Sequence, residues 1–181
     1  MSIRSAFMRC ATAAIVFITS ACAAVASPAP IAPSLGTPMT AEDAAKWDLS
    51  VFPDGKGLPP GKGTATEGKQ LFADKCEHCH GPAGRGATAE ELVGPPTPPT
   101  SDNPQKTIGA YWPFATTIFD FIRRSKPPEI PGSLAADEIY ALTAYLLAAN
   151  KVIGETEVMT AATLPAVKMP NRDGFVRIDA P

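Results

Sequence analysis

Residues 76–80 read Cys76-Glu77-His78-Cys79-His80. On a helical turn, thiols at positions i and i+3 face the same side and can both reach the vinyl groups along one haem edge, and the following histidine directs its imidazole at the iron. The spacing C-x-x-C-H is typical of c-type haem attachment. It predicts one covalent haem c, with Cys76 and Cys79 as thioether residues and His80 as the proximal iron ligand.

The other cysteines are compatible with this interpretation. The sequence has four cysteines, and the remaining two, Cys10 and Cys22, lie near the N-terminus. A thioredoxin-like redox pair would need a strand-to-helix context, whereas the flanks here predict a helix before the motif and a stop at Gly81-Pro82 after it. A zinc site would need four ligands. His78 is expected to face solvent rather than a metal.

The first 26 residues have the pattern of a secretory signal peptide. Arg4 and Arg9 form a basic region, residues 11–21 are mostly apolar, and Ala24-Val25-Ala26 is a small-residue cleavage signal. The apolar run is short for a membrane span. We therefore predict a periplasmic location and no membrane span after cleavage. An uncleaved anchor and lipoprotein processing at Cys22 are the alternatives.

Composition excludes some classes of partner. All 18 acidic residues follow residue 26, as do all of the 16 Lys and Arg residues except Arg4 and Arg9, which leaves 14 basic residues and a formal charge of −4. A nucleic-acid-binding protein would show a basic excess instead. The length after residue 26 is that of one domain.

The chain is expected to contain a single folded domain with irregular ends. We predict a Pro-rich linker over residues 27–39, a haem-binding domain over 40–150 and an irregular tail over 151–181 that packs on it. Thr64 and Glu67 fit a capping box. In a helix predicted over about 115–124, Ile118, Phe121 and Ile122 are expected to form the buried stripe. Helices are predicted over about 65–78, 88–93, 115–124 and 135–149, with a short helix ending near Trp47.

Two further patterns lie on either side of the haem motif. Gly68-x-x-x-Phe72-x-x-x-Cys76 precedes it, and Ala144-Tyr145-Leu146 follows it. With them, residues 64–150 resemble the class I cytochrome c family. The resemblance implies an all-α fold of about three to five helices around one covalent haem, with Pro-rich loops and an irregular wrapping C-terminal tail. It also implies that the first and last helices cross closely, with Gly68 admitting the ring of Tyr145, since only glycine lets backbones approach that far.

Longer stretches of unusual composition support a narrower resemblance over residues 45–176. They are WDLSVFPDG at 47–55, GLPPG at 57–61, GAYWPFATTIFDFIRR at 109–124 and LPAVKMPNRDGF at 164–175. These stretches resemble the cytochrome c subunit of sulfur-oxidation dehydrogenases, which act on sulfite or protein-bound sulfane sulfur. The resemblance implies a periplasmic monohaem electron acceptor for a molybdenum-pterin subunit, which passes electrons to a downstream cytochrome or oxidase and is not itself an enzyme.

The sequence departs from the family pattern at the second axial ligand. The family takes a distal methionine from the loop before the last helix, but no methionine occurs between Met39 and Met159. Where the family has Arg-Ala-Met-Pro, this chain reads Arg124-Ser125-Lys126-Pro127. The candidates are Lys126 as a neutral amine, Met169 from the tail, and no protein ligand. The sequence leaves these three open, together with the redox potential and the partner's identity.

Two rival functions also fit the sequence. The chain could serve as a general periplasmic electron shuttle without a dedicated enzyme partner. An open sixth coordination site would instead fit a haem sensor or haem enzyme. The cations at Arg123, Arg124 and Lys126 could steer an acidic partner, or they could form an ordinary solvated helix end.

Overall fold

The structure, a computed structural model, describes residues 36–95, 100, 102–176 and 178. The predicted signal peptide and residues 27–35 of the predicted linker lie outside this part of the chain. The predicted all-α fold is confirmed, with the addition of one two-stranded antiparallel sheet. No helix in the described ranges is long and apolar enough to cross a membrane. The elements are α1 (Ala41–Trp47), β1 (Lys62–Thr64), α2 (Ala65–Lys75), α3 (Glu77–His80), α4 (Ile108–Tyr111), α5 (Ala115–Ser125), α6 (Ala136–Ala149) and β2 (Val158–Thr160).

Helix α2 begins at the predicted capping box. The Glu67 amide donates to Thr64 Oγ1 at 3.3 Å, and the Thr64 amide donates to Glu67 Oε2 at 2.8 Å. These bonds satisfy amides that have no partner inside the helix. The predicted single helix over 65–78 is wrong at its far end, because Cys76 leaves helical geometry (φ −127°, ψ −30°) and separates α2 from α3. Gly81, at φ 73°, then ends α3 in the left-handed region that favours glycine.

The helix predicted over residues 88–93 is not formed, and this prediction is wrong. The backbone amides of residues 88–93 bond to carbonyls outside this segment instead of completing helical turns. The Ala89 amide donates to the Cys79 carbonyl at 2.8 Å, and the amides of Leu92 and Val93 donate to the Gly84 carbonyl at 2.8 and 2.9 Å. These long-range bonds satisfy the backbone better than an isolated turn of helix could, because so short a helix is marginal by itself. The segment therefore follows the haem motif as a loop.

Helices α2 and α6 cross as the family resemblance implied. Gly68 is buried, and a Cβ at this position would overlap the carbonyl of Ala141 and lie 2.8 Å from Tyr145 Cβ. The rings of Phe72 and Tyr145 pack beside the crossing with centroids 5.2 Å apart. The prediction of a close approach is confirmed, and the structure adds Ala141 as the residue whose backbone Gly68 meets.

The tail is more ordered than the sequence predicted. Strand β2 pairs with β1, with Gly63 opposite Met159, so the expectation of a wholly irregular tail is wrong here. The side chain of Met159, within β2, is buried in the core. Farther along, Asn171 donates its side-chain amide to the Tyr111 carbonyl at 2.6 Å, and Arg172 lies over the Phe114 ring at 4.5 Å. Because these contacts reach α4 and the start of α5, the tail packs on the helical domain.

Helix α5 is buried on more faces than the predicted stripe. Ile118 and Ile122 are buried as expected, but Phe121 is 46% exposed, so its assignment to the core is wrong. Phe119 and Asp120 are buried instead. Phe119 packs against Tyr140 of α6 with ring centroids 4.6 Å apart, and Asp120 accepts from the Val51 amide in the loop before β1. Phe121 instead lines a cavity together with Ile118 and Ile122.

Candidate functional site

A cavity of about 400 Å³ lies next to the haem motif. This volume is within the range of small-molecule and cofactor sites. Its walls are largely apolar, with Ile118 and Ile122 from α5 and Leu142 and Leu146 from α6. The cavity is also bordered by four of the residues that the sequence singled out, namely Cys76, Cys79, His80 and Lys126.

The two cysteines reach the cavity from one short segment. Cys76 lies at the junction of α2 and α3, Cys79 lies inside α3, and the Cys79 amide donates to the Cys76 carbonyl at 3.2 Å. Both thiols are half-buried, and neither is in a disulfide. Burial raises the pKa of the Cys76 thiol to about 11, against the opposing effect of the Lys75 and Lys126 charges. The thiol of the free chain is therefore protonated at neutral pH.

The imidazole of His80 is oriented by a backbone carbonyl. Its Nδ1 lies 2.9 Å from the carbonyl oxygen of Glu90. A carbonyl can only accept, so Nδ1 carries the proton and Nε2 keeps a free lone pair. Histidines that ligate metals commonly hold their other nitrogen in this way. Sequence reasoning missed Glu90, because it predicted a helix over 88–93 and no side-chain pattern marks a carbonyl.

The candidates for the second axial position lie in different places. Lys126 borders the cavity that contains His80. Met169 is 3% exposed and packs in the hydrophobic core, outside the residues that line this cavity. His78 is exposed at the cavity rim. The structure therefore brings Lys126, and not Met169, to the cavity of His80.

The basic residues around Lys126 have different surroundings. Arg123 donates from Nη1 to the carbonyls of Leu49 and Gly57, at 3.2 Å each. Arg124 pairs with Asp120 on the same helix. Lys126 lies with its Nζ 5.2 Å from the centroid of the Phe121 ring. Arg123 thus holds the loop before β1, and the three cations do not form a single free patch.

The donor set fits a covalently held haem. Two neighbouring thiols can take up the vinyl groups, the Nε2 of His80 can bind iron, and the apolar walls suit a porphyrin ring. The described ranges contain no cluster of three or more His, Cys, Asp or Glu side chains that could hold a metal ion.

Comparison with known proteins gives the family. The cytochrome c family profile matches residues 65–150. Among solved structures, a chain of the sulfane dehydrogenase SoxCD from Paracoccus pantotrophus aligns at 38% identity and a TM-score of 0.75, over 82% of this chain and 73% of that chain. No curated protein sequence gives a significant match. The chain belongs to the cytochrome c family, as a haem c electron carrier similar to a subunit of a sulfur-oxidising enzyme.

Proposed function

We propose that this chain is the electron-accepting cytochrome of a molybdenum dehydrogenase that oxidises sulfite or protein-bound sulfane sulfur. The observation that carries the proposal is the extent of the similarity to the sulfane dehydrogenase chain. The common cytochrome c region covers residues 65–150, which is less than half of the chain, whereas the similarity to SoxCD covers 82% of it. The likeness therefore includes segments that cytochromes c in general do not share.

Those outer segments are integrated into the site. The loop before β1 bonds to α5 through Asp120 and Arg123, and the Tyr140 hydroxyl of α6 donates to the Pro59 carbonyl at 2.9 Å. The tail contacts Tyr111 and Phe114, which precede α5. These segments fix the helices that border the cavity, so they are part of the cytochrome and not loose extensions. This supports a specialised subunit over a generic carrier.

The residues of the cavity have separate roles in this proposal. Cys76 and Cys79 would hold the haem through thioethers to its two vinyl groups. His80 would supply Nε2 to the iron, and the Glu90 carbonyl, 2.9 Å from its Nδ1, would hold the ring in the matching tautomer. The bound haem supplies one-electron redox chemistry. The apolar side chains of α5 and α6 exclude water from the ring and so influence its potential.

The electron balance of sulfite oxidation is compatible with a one-electron carrier. Oxidation of sulfite to sulfate takes one oxygen atom from water and releases two protons and two electrons. A single bound haem would take up one electron at a time, so this chain would be reduced and reoxidised twice for each sulfite. The electrons then leave for a downstream cytochrome or oxidase. Because c-type haem is attached after export, the signal-peptide pattern of residues 1–26 supports a periplasmic location for these steps.

Reduction by a molybdenum partner tests the proposal. The haem-loaded chain is mixed with a purified sulfite-oxidising molybdenum enzyme, and haem reduction is followed in a stopped-flow instrument after addition of sulfite. We expect reduction that depends on both enzyme and sulfite and exceeds the rate with an unrelated monohaem cytochrome c. Sulfite without enzyme is the blank.

Equal rates for this chain and the unrelated cytochrome would favour the general periplasmic shuttle instead. A gene for a molybdenum-pterin subunit next to the gene for this chain would support the dedicated partner. Its absence from the genome would count against it.

A further inference from the structure

Nitrogen-bearing side chains besides His80 line the cavity. A haem iron held by one histidine keeps its second axial position for another ligand. The thioether side chains of the described ranges are not available for it: Met39 is exposed, while Met159 and Met169 are buried in the core and outside the cavity lining. The remaining donors in the cavity, apart from the haem motif and two glutamates, are three lysines: Lys75, Lys106 and Lys126.

Two of these lysines are in poor positions. Lys75 pairs with Glu138 at 3.7 Å. Lys106 lies two residues before Ile108, whose amide donates to the Leu92 carbonyl at 3.1 Å. Leu92 follows Glu90, the residue that bonds to His80. Lys106 therefore adjoins the segment that orients the proximal histidine, and its Nζ lies over the Tyr111 ring, 5.7 Å from the centroid.

Lys126 comes from a different wall. It follows α5 directly, and its amide donates to the Ile122 carbonyl at 3.0 Å, which fixes its backbone at the cavity edge. Pro127 and Pro128, which also border the cavity, follow it. Its side chain is half-buried, and none of the ion pairs between described residues involves it. The Nζ instead lies over the apolar ring of Phe121.

We infer that Lys126 is the second protein ligand of the haem iron, opposite His80. A lysine binds metal as the neutral amine, so the ammonium releases one proton to solvent as the iron–nitrogen bond forms. A nitrogen donor stabilises ferric iron more than a thioether does, and the reduction potential falls relative to a methionine-ligated haem.

The ligand is tested by spectroscopy and potentiometry on the haem-loaded full chain. The wild type is expected to be low-spin in the ferric state without the far-red charge-transfer band of a thioether ligand. Lys126→Ala is expected to become high-spin in the ferric state and to bind CO readily in the ferrous state. Lys126→Met is expected to regain the thioether band and a higher potential. Lys69→Ala, on the exposed face of α2, is the matched control and should leave spectrum and potential unchanged.

Three results would overturn the inference: a thioether band in the wild type, an unchanged ferric spectrum in Lys126→Ala, or loss of the low-spin state in Lys106→Ala or Met169→Leu alone. If Lys126→Ala fails to fold, Lys126→Met decides, because its spectrum and potential must both change. The inference rests on haem attachment and not on the sulfur-oxidising partner. A failed reduction assay with an intact lysine-ligated spectrum would reject only the partner.

Discussion

Helices α2 and α5 border the same cavity, but they are positioned by different interactions. Helix α2 starts at a capping box between residues three positions apart, and it leads directly into the haem motif. Helix α5 has no side-chain cap at Phe114. It is held by Asp120 and Arg123, which bond to backbone groups 69 and 74 positions away. The start of α2 is therefore set by residues three positions apart, whereas α5 has no such cap and depends on bonds to distant backbone groups.

The largest expected effect is on haem attachment at the end of α2. In the double variant Cys76→Ala/Cys79→Ala, we expect complete loss of covalently bound haem, because no thiol is left beside the cavity to form a thioether. The measurement is haem staining of the denatured protein on a gel, with Lys69→Ala as the control that keeps its haem. Covalent haem in the double variant would place the attachment elsewhere.

The next effect concerns the crossing that fixes α2 on α6. Gly68→Ala is expected to lower the free energy of unfolding by about 3 kcal/mol, the upper part of the range for overpacking, because the new Cβ meets the Ala141 backbone. Urea unfolding of the haem-loaded protein measures it. Gly154→Ala is the matched control, since the nearest atom to its Cβ would be a Glu157 carboxylate oxygen at 3.3 Å. Equal stability of the two variants would contradict the close crossing.

A smaller effect is expected on the α5 side. Asp120→Ala leaves the Val51 amide, which now donates to Asp120 Oδ1 at 2.9 Å, without its partner, and also removes the pair with Arg124. We expect a loss of about 2 kcal/mol, typical of a buried donor left unsatisfied, together with faster amide exchange in the loop before β1. Asp74→Ala is the control, because Asp74 is exposed and its one hydrogen bond among the described residues is accepted from Gln70 on the same helix. Unchanged exchange at Val51 would show that the loop does not depend on α5.

The smallest effect is expected at the cap of α2. Thr64→Ala removes the hydroxyl that accepts from the Glu67 amide, and we expect a loss of about 1 kcal/mol. Thr66→Ala, on the exposed surface of the same helix, is the control and should be near neutral. Thermal unfolding of the two variants measures the difference. If Thr64→Ala cost as much as Asp120→Ala, the contrast between local and long-range control of the two helices would fail.

Sequence reasoning succeeded where the signal is local. The capping box at Thr64, the stop at Gly81 and the extent of α5 and α6 each depend on a few adjacent residues, and the structure has them within a few positions of the prediction. It failed at residues 88–93, where amides bond to Cys79 and Gly84. It failed again at Phe121, which lines the cavity with Ile118 and Ile122 and is 46% exposed instead of packing in the core.

The sequence by itself determined the cofactor chemistry of this protein, because two thiols and an imidazole lie within five consecutive residues. No residue from a distant segment is needed to recognise this motif. Tertiary structure alone decided what surrounds them. It placed the Glu90 carbonyl against His80, put Met169 in the core and left Lys126 at the cavity wall. The physical reason is that these positions depend on backbone hydrogen bonds and helix packing between distant segments, which residue spacing does not encode.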